Sequence, residues 1–382
     1  MSGPSLSGLV VLAAGGTGGH MFPAEALARE LLGRGLHVAL VTDRRGQAFG
    51  ERLPGVALHR IRVGRFGAGL MSKVIGVAEL ALGTLEASRL LRKLAPAAAV
   101  GFGGYPSVPT MLAATRLGVP TLVHEQNAIL GRANRLLASR VRRIATSFPK
   151  VGAIRPADRD RVIETGNPVR PAIAAERGTT YVAPRNDGPF QILVLGGSQG
   201  ARVLSEVIPA ACAKLPETLR QRLRLVQQAR AEDIEAVRRA HAASGVASEL
   251  ATFFDDVPAR LARAHLVISR SGASSVSEIA MVGRPAILVP YLHAADDHQT
   301  ANAQALAAAG GAWVIAQAAF TAEILADRLS TLMVAPEELA RAAAAAHALG
   351  RPDAARALAD LVIATMRGSN GATTSPLREN AA

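Results

Sequence analysis

An apolar run that ends abruptly in a cluster of glycines occurs twice in this 382-residue chain. Leu9-Val10-Val11-Leu12-Ala13-Ala14 leads into Gly15-Gly16-Thr17-Gly18-Gly19-His20, and Gln191-Ile192-Leu193-Val194-Leu195 leads into Gly196-Gly197-Ser198-Gln199-Gly200. After the first cluster, Ala24, Leu27, Ala28, Leu31 and Leu32 recur at helical spacing, and Pro23 sits where a first-turn proline is tolerated. After the second, a helix begins at Ala201. Each unit reads as strand, glycine loop, helix. Bare glycines let a ligand approach the backbone, and the helix N-terminus offers unpaired N–H groups to an anion. The first loop is neither G-x-G-x-x-G nor a P-loop with its Lys-Ser/Thr ending. On the loop alone, a tight turn that binds nothing stays open.

Between and after these units, strands alternate with helices. Strands are expected at His37–Thr42, Val56–Ile61, Ala97–Phe102, Thr121–His124, Leu223–Gln227, Leu266–Ser269 and from Ala286 to Pro290. Helical patterns fall at 70–94, from Val108-Pro109, as a basic helix from Arg132 to Arg143, and as an Ala-rich pair from Ala340 to Met366 broken at Gly350-Arg-Pro352. A polar loop is expected up to Asn302. This alternation implies parallel sheets, with binding groups gathered at the carboxyl ends of the strands. The loops at 15–20, 103–107 and 124–127 would open on one edge. The stretch 171–189 is rich in Pro, Gly, Thr and Ala, as a linker is. The expected organisation is a first Rossmann-like domain at 1–168, a linker at 169–189, a second such domain at 190–345, a C-terminal helix at 346–366 returning to the first domain, and a disordered tail at 367–382.

Charge separates the halves. Residues 1–168 carry 22 Lys+Arg against 10 Asp+Glu, and the remainder carries 21 against 20. The first half therefore attracts something anionic: a phosphorylated substrate, a membrane surface or nucleic acid. No nucleic-acid motif occurs, and aromatics, at 3%, are scarce for base stacking. No run of 18 apolar residues is present and no basic segment precedes the first apolar run, so neither a membrane span nor a signal peptide is expected. The single cysteine, Cys212, reads as a buried thiol.

Several residues carry candidate chemistry. His20 is a titratable group at the edge of the first loop, with His124 and Glu125 on the same edge. Ser198 could donate to a phosphate or be a polar turn residue. Glu278 has two readings: with Ser275 it fits a helix capping box, or its carboxylate takes ribose hydroxyls. Arg170, in Gly166-Asn167-Pro168-Val169-Arg170, lies at the expected domain junction, where it reads either as a cation for a diphosphate in an interdomain cleft or as a solvated linker arginine. Asp158-Arg159-Asp160 formally fits a metal-holding D-x-D pattern but sits in a charged run that reads as solvated surface. Asp296, Asp297, His298 and Gln299 suit sugar hydroxyls as well as a metal.

Taken in order, these segments resemble the bacterial MurG family, the UDP-N-acetylglucosamine:N-acetylmuramyl-(pentapeptide) pyrophosphoryl-undecaprenol N-acetylglucosaminyltransferases. The resemblance rests on seven segments: Gly15–His20, Gly103-Gly104-Tyr105, His124-Glu125-Gln126-Asn127, Gly166–Arg170, Gly196–Ala201, Arg270-Ser271-Gly272 with Ser277-Glu278, and Asp297-His298-Gln299 with Asn302. It covers about residues 9–365. It implies an α/β fold of GT-B architecture, two doubly wound parallel-sheet domains around a cleft. It also implies an inverting transfer of GlcNAc from UDP-GlcNAc to the 4-hydroxyl of the muramyl sugar of lipid I, giving lipid II.

By the same resemblance, His20, His124 and Glu125 are catalytic candidates. Thr17, Gly18, Gly19, Asn127, Arg170, Ser198, Phe254, Arg270, Gly272, Ala273, Ser274, Ser275, Glu278, Gln299 and Asn302 are donor-binding candidates. Gly16, Gly18, Gly103, Gly104 and Tyr105 are placed at the acceptor diphosphate. His298 departs from the amide pair of some members. The resemblance implies no obligatory cofactor or metal, UDP-GlcNAc and lipid I as ligands, a peripheral position on the cytoplasmic face of the inner membrane, and partners among cell-wall synthesis proteins. Two rivals stand beside it: a UDP-sugar epimerase of similar architecture, and a non-enzymatic basic phosphate- or nucleic-acid-binding protein.

Overall fold

The computed structural model describes residues 8–15, 18–43, 54–63, 70–197 and 200–368, and only the backbone of 70–74. The expected tail beyond 368 lies outside these residues, as do Gly16, Thr17 and Ser198.

The first domain contains β1 (Leu9–Ala13), α1 (Gly18–Gly33), β2 (His37–Thr42), β3 (Val56–Arg60), α2 (Leu70–Leu94), β4 (Ala98–Gly101), α3 (Ser107–Arg116), β5 (Thr121–Glu125), α4 (Arg132–Ala138), β6 (Arg143–Thr146) and β7 (Val162–Glu164). Its seven strands are ordered β3-β2-β1-β4-β5-β6-β7, and all pair in parallel. Val10 and Leu12 point into one buried layer and Val11 and Ala13 into the other. An unbroken apolar run is what a parallel strand covered on both faces requires.

A short helix α5 (Pro171–Ala175) leads into the second domain: β8 (Phe190–Leu195), α6 (Arg202–Lys214), β9 (Leu223–Gln228), α7 (Ile234–Ser244), β10 (Ala247–Ala251), α8 (Val257–Arg263), β11 (Leu266–Ser269), α9 (Ala273–Val282), β12 (Ala286–Leu288), α10 (His298–Ala308), β13 (Ala312–Val314), α11 (Ala322–Met333) and α12 (Pro336–Leu349). Its six parallel strands are ordered β10-β9-β8-β11-β12-β13. The internal repeat is therefore structural. In each sheet the strand order reverses beside the first strand, between β1 and β4 and between β8 and β11. The glycine loops follow β1 and β8, at the crevice where open α/β sheets bind ligands.

The chain then crosses back. α13 (Ala354–Met366) buries Leu358, Ala359 and Val362 in the first domain's core, against α1. Arg34, the residue after α1, fastens it by an ion pair with Asp360, 2.5 Å long. The returning helix thus begins at Ala354 and not at 346, because Ala346 is buried in the second domain.

Other expectations need correction. α1 starts at Gly18, so Pro23 lies beyond the first turn, and the carbonyl of Gly19 loses its helical partner. The basic stretch 132–143 is not one helix, since Arg143 opens β6. The expected loop to Asn302 ends at His298, where α10 begins. Asp158 is buried between Arg155 and Arg161, so it is neither solvated nor available to a metal. Cys212, by contrast, is the buried thiol expected, and burial pushes it up to about 12.

Candidate active site

The loops after β1, β4 and β5 meet at one point, and His20 stands there. It is the third residue of α1 and is half-buried. Gly103 and Gly104 curl around its ring with φ of +82° and +72°, a conformation that side chains rarely adopt. A Cβ on Gly104 would stand 3.3 Å from His20 Cδ2, so the approach also requires glycine. His20, Gly104, Tyr105, Asn127, Arg132 and Asn134 of the first domain line a cavity of about 240 Å³, closed from the other side by Ala295, Asp296 and His298 of the second.

His124 and Glu125 end β5 and are buried. His124 donates from Nε2 to the Gly166 carbonyl at 3.0 Å and accepts at Nδ1 from Gln126 Nε2 at 3.0 Å. Burial pushes its ring down to about 4, so it is neutral at pH 7. The Glu125 oxygens accept from the N–H groups of Asn127 and Gly131 and from the amides of Asn127 and Asn134. Neither group is free to take a proton from a ligand. Both hold the loop together, which corrects the expectation that they are alternative bases.

Asn127 and Asn302 are likewise engaged. Asn302, fully buried on α10, accepts from Ala128 N–H at 2.7 Å and donates to Asn127 Oδ1 and the Ser271 carbonyl, each at 3.1 Å. With its oxygen and nitrogen so committed, Asn302 is a strut between the domains and not a ligand for a sugar. The same strut occupies Asn127 Oδ1. Asp296 reaches the other way, pairing with Arg132 and Arg135 of α4. Asp296 and Asp297 both adopt φ of +53°, a left-handed conformation costly for non-glycine residues. The Arg pairs and the Thr300–Asp297 hydrogen bond hold that turn in place. His298 donates from Nδ1 to the Ala295 carbonyl within it.

On the second domain, Gly272 is the N-cap of α9, with Ala273, Ser274 and Ser275 in its first turn. No side chain caps this end, and the buried Ser274 hydroxyl has no partner. The helix therefore presents donors to the cleft. The capping-box reading of Glu278 fails, because Ser275 lies inside the helix. The carboxylate instead accepts two hydrogen bonds from Arg170. Burial pushes the Glu278 carboxyl up, against the pull of Arg170. Arg270 donates to the Val289 and Pro290 carbonyls and lies over the Tyr291 ring. Gln299 Oε1 accepts from Tyr291 N–H. Phe254 is buried beneath the Arg260 guanidinium, whereas its neighbour Phe253 is exposed.

Gln126 and Asn134 carry no role in the sequence reading. Gln126 is the third residue of the His-Glu-Gln-Asn run, and its amide nitrogen bonds His124 within that run, but its oxygen meets His20, 106 residues away. Asn134, 1% exposed with Oδ1 unpartnered, looked like one polar residue in a basic helix.

Two similar sheets with ligand loops facing across a cleft define a two-domain GT-B architecture, and the family matches make it that of a glycosyltransferase. The glycosyltransferase family 28 N-terminal domain matches residues 10–146, and its C-terminal domain matches residues 191–358. A Rhodospirillum centenum protein, named UDP-N-acetylglucosamine--N-acetylmuramyl-(pentapeptide) pyrophosphoryl-undecaprenol N-acetylglucosamine transferase, is 58% identical over 98% of both chains. The crystal structure of Acinetobacter baumannii MurG superposes with a TM-score of 0.77 at 30% identity, covering 93% of this chain and 99% of that one. The chain belongs to the MurG family. A Listeria monocytogenes protein described as a putative UDP-N-acetylglucosamine 2-epimerase superposes at a TM-score of 0.64 with 16% identity over 96% of this chain and 98% of its own. That likeness is of fold alone.

Proposed function

We propose that this chain moves GlcNAc from UDP-GlcNAc to the 4-hydroxyl of the muramyl sugar of lipid I, with inversion, giving lipid II. The observation that carries this is the placement of His20: it sits at the wall of a cavity made by both domains, beside a helix N-terminus. The first domain takes the acceptor, with Gly18, Gly103, Gly104 and Tyr105 near its diphosphate. The second takes the donor. The Gln299 amide nitrogen is directed to the donor sugar, and Phe253 and Phe254 flank the base. His20 removes the proton of the acceptor hydroxyl as its oxygen attacks the anomeric carbon, and the electrons of the broken C–O bond leave with UDP. The first turn of α9 and Arg170 meet the charge that develops on the leaving diphosphate, a task for which no obligatory metal is invoked.

The acceptor is lipid-linked, so the enzyme works at a bilayer. Among the described residues no helix is long and apolar enough to cross a membrane. On α2, Ile75, Leu82 and Leu85 are exposed on the face that continues into exposed Arg89, Arg92 and Lys93. Apolar insertion with basic attraction is a route to reversible docking on anionic lipid. The side chains of residues 70–74, at the start of α2, fall outside those described.

Incubation with UDP-GlcNAc and a lipid I analogue tests the activity. UDP and a disaccharide product are expected only when both are present. Conversion of UDP-GlcNAc without acceptor would identify an epimerase instead, and salt-sensitive DNA or RNA binding without turnover would favour the non-enzymatic reading.

A further inference from the structure

We propose that Gln126 and His124 are positioning residues that fix which nitrogen of His20 carries the proton. This rests on the reading of His20 as the base. A hydrogen-bonded chain runs from the domain junction to the cavity. The Gly166 carbonyl can only accept, so His124 Nε2, 3.0 Å away, carries a hydrogen. In the neutral ring Nδ1 then holds a lone pair, and Gln126 Nε2 donates to it at 3.0 Å. The same amide nitrogen donates to the His124 carbonyl at 3.0 Å, which also can only accept. These two contacts fix the orientation of the Gln126 amide. Its oxygen must face His20 Nδ1, at 3.0 Å, and therefore accepts a hydrogen from it.

The consequence is that His20 Nε2 holds the lone pair. That nitrogen lies beside Gly104, where a Cβ would be 3.5 Å away, and Gly104 lines the cavity. The fixed tautomer puts the basic nitrogen toward the acceptor and leaves an oxygen on Nδ1–H that stabilises the ring once it is protonated. An aspartate serves this purpose in hydrolase triads. Here a neutral amide serves, itself oriented by a buried histidine. The ionisable groups that share the cavity with His20 are Tyr105, Glu125 and Arg132 of the first domain and Asp296 and His298 of the second.

The far end of the chain is fixed by the junction. Gly166 has φ of +81°, and a Cβ there would stand 2.6 Å from Arg351 Cβ. Its neighbour Asn167 donates to Ser277 Oγ of the second domain at 3.1 Å. The protonation of His20 is thereby tied to the segment joining the domains.

Ring nitrogen NMR of the ¹⁵N-histidine-labelled full chain reads this directly. In the neutral rings, His20 should show a protonated Nδ1 and a bare Nε2, and His124 the reverse. A His20 ring protonated on Nε2, or a mixture, overturns the proposal without any variant. In Gln126→Met the acceptor is lost at nearly constant volume. His20 should then lose its fixed tautomer, and kcat should fall at least about tenfold, with little change in KM for UDP-GlcNAc. Gln126→Glu keeps an acceptor for Nδ1 and should keep the His20 tautomer. A tautomer unchanged in Gln126→Met defeats the relay alone. A changed tautomer with a normal kcat defeats the reading of His20 as the base, and with it the catalytic role of the relay.

Discussion

Arg170 grips Glu278 through two parallel hydrogen bonds, each 2.9 Å long, across the junction between the domains. The guanidinium also lies over the Phe22 ring of α1, 5.2 Å from its centroid, so one side chain touches both domains. A ribose bound at Glu278 would compete with Arg170 for the carboxylate oxygens.

Replacing Glu278 therefore tests the nucleotide site. Glu278→Ala should weaken UDP binding by about 1–3 kcal/mol, as for other hydrogen bonds to charged groups. Titration calorimetry with UDP reads it, with circular dichroism confirming the fold. Unaltered affinity would make the carboxylate only a structural partner of Arg170.

His20→Ala should lower kcat by about 10²–10⁴-fold while leaving UDP affinity close to that of the unaltered protein. Steady-state rates at saturating donor and acceptor check this. A near-normal kcat would leave His20 as an acceptor ligand at most.

Acid should destabilise the fold through two buried rings. Burial pushes both His124 and His241 down to about 4, against about 6.5 in the unfolded chain. The unfolded state binds the extra protons, so this stability is complete above pH 6.5 and is lost as pH falls toward 4. The loss approaches roughly 1.4 kcal/mol per pH unit for each ring inside that window. Denaturant unfolding between pH 7 and pH 4.5 should show the slope, and His124→Asn and His241→Asn should each flatten it. Slopes unmoved by either substitution would show that these rings are not its source.

Vesicle co-sedimentation tests the exposed face of α2. Binding should require anionic lipid, fall with added salt, and weaken when Arg89, Arg92 and Lys93 become Ser. Each basic residue near the surface contributes about 1 kcal/mol. Equal binding to neutral vesicles would remove the basic attraction from the account, and none to either kind would place that face elsewhere than on a bilayer.

The glycine loops and the strands before them were legible because periodicity, apolar runs and glycine all mark the same local event. Short or charged strands were not. Val162–Glu164 is three residues long inside an Arg/Asp run, and Arg143–Thr146 begins in a basic stretch. Their pairing comes from neighbouring strands and leaves little pattern of its own. The same limit applies at the site. Glu278 read equally well as a helix cap because spacing is local, whereas Arg170 is 108 residues away. Asn127 and Asn302 stood as donor-binding candidates from the resemblance, and nothing in either segment shows that they bind each other across 175 residues.

The last helix sets an order of events for the chain as it is made. Leu358 and Val362 fill the core laid down by β1, α1 and β4. During synthesis that apolar surface lacks its covering helix until almost the whole polypeptide has emerged. The second domain, whose own strands and helices end at Leu349, can close first. A chain stopped before residue 354 would hold every strand and helix of the second domain but leave part of the first domain's core uncovered.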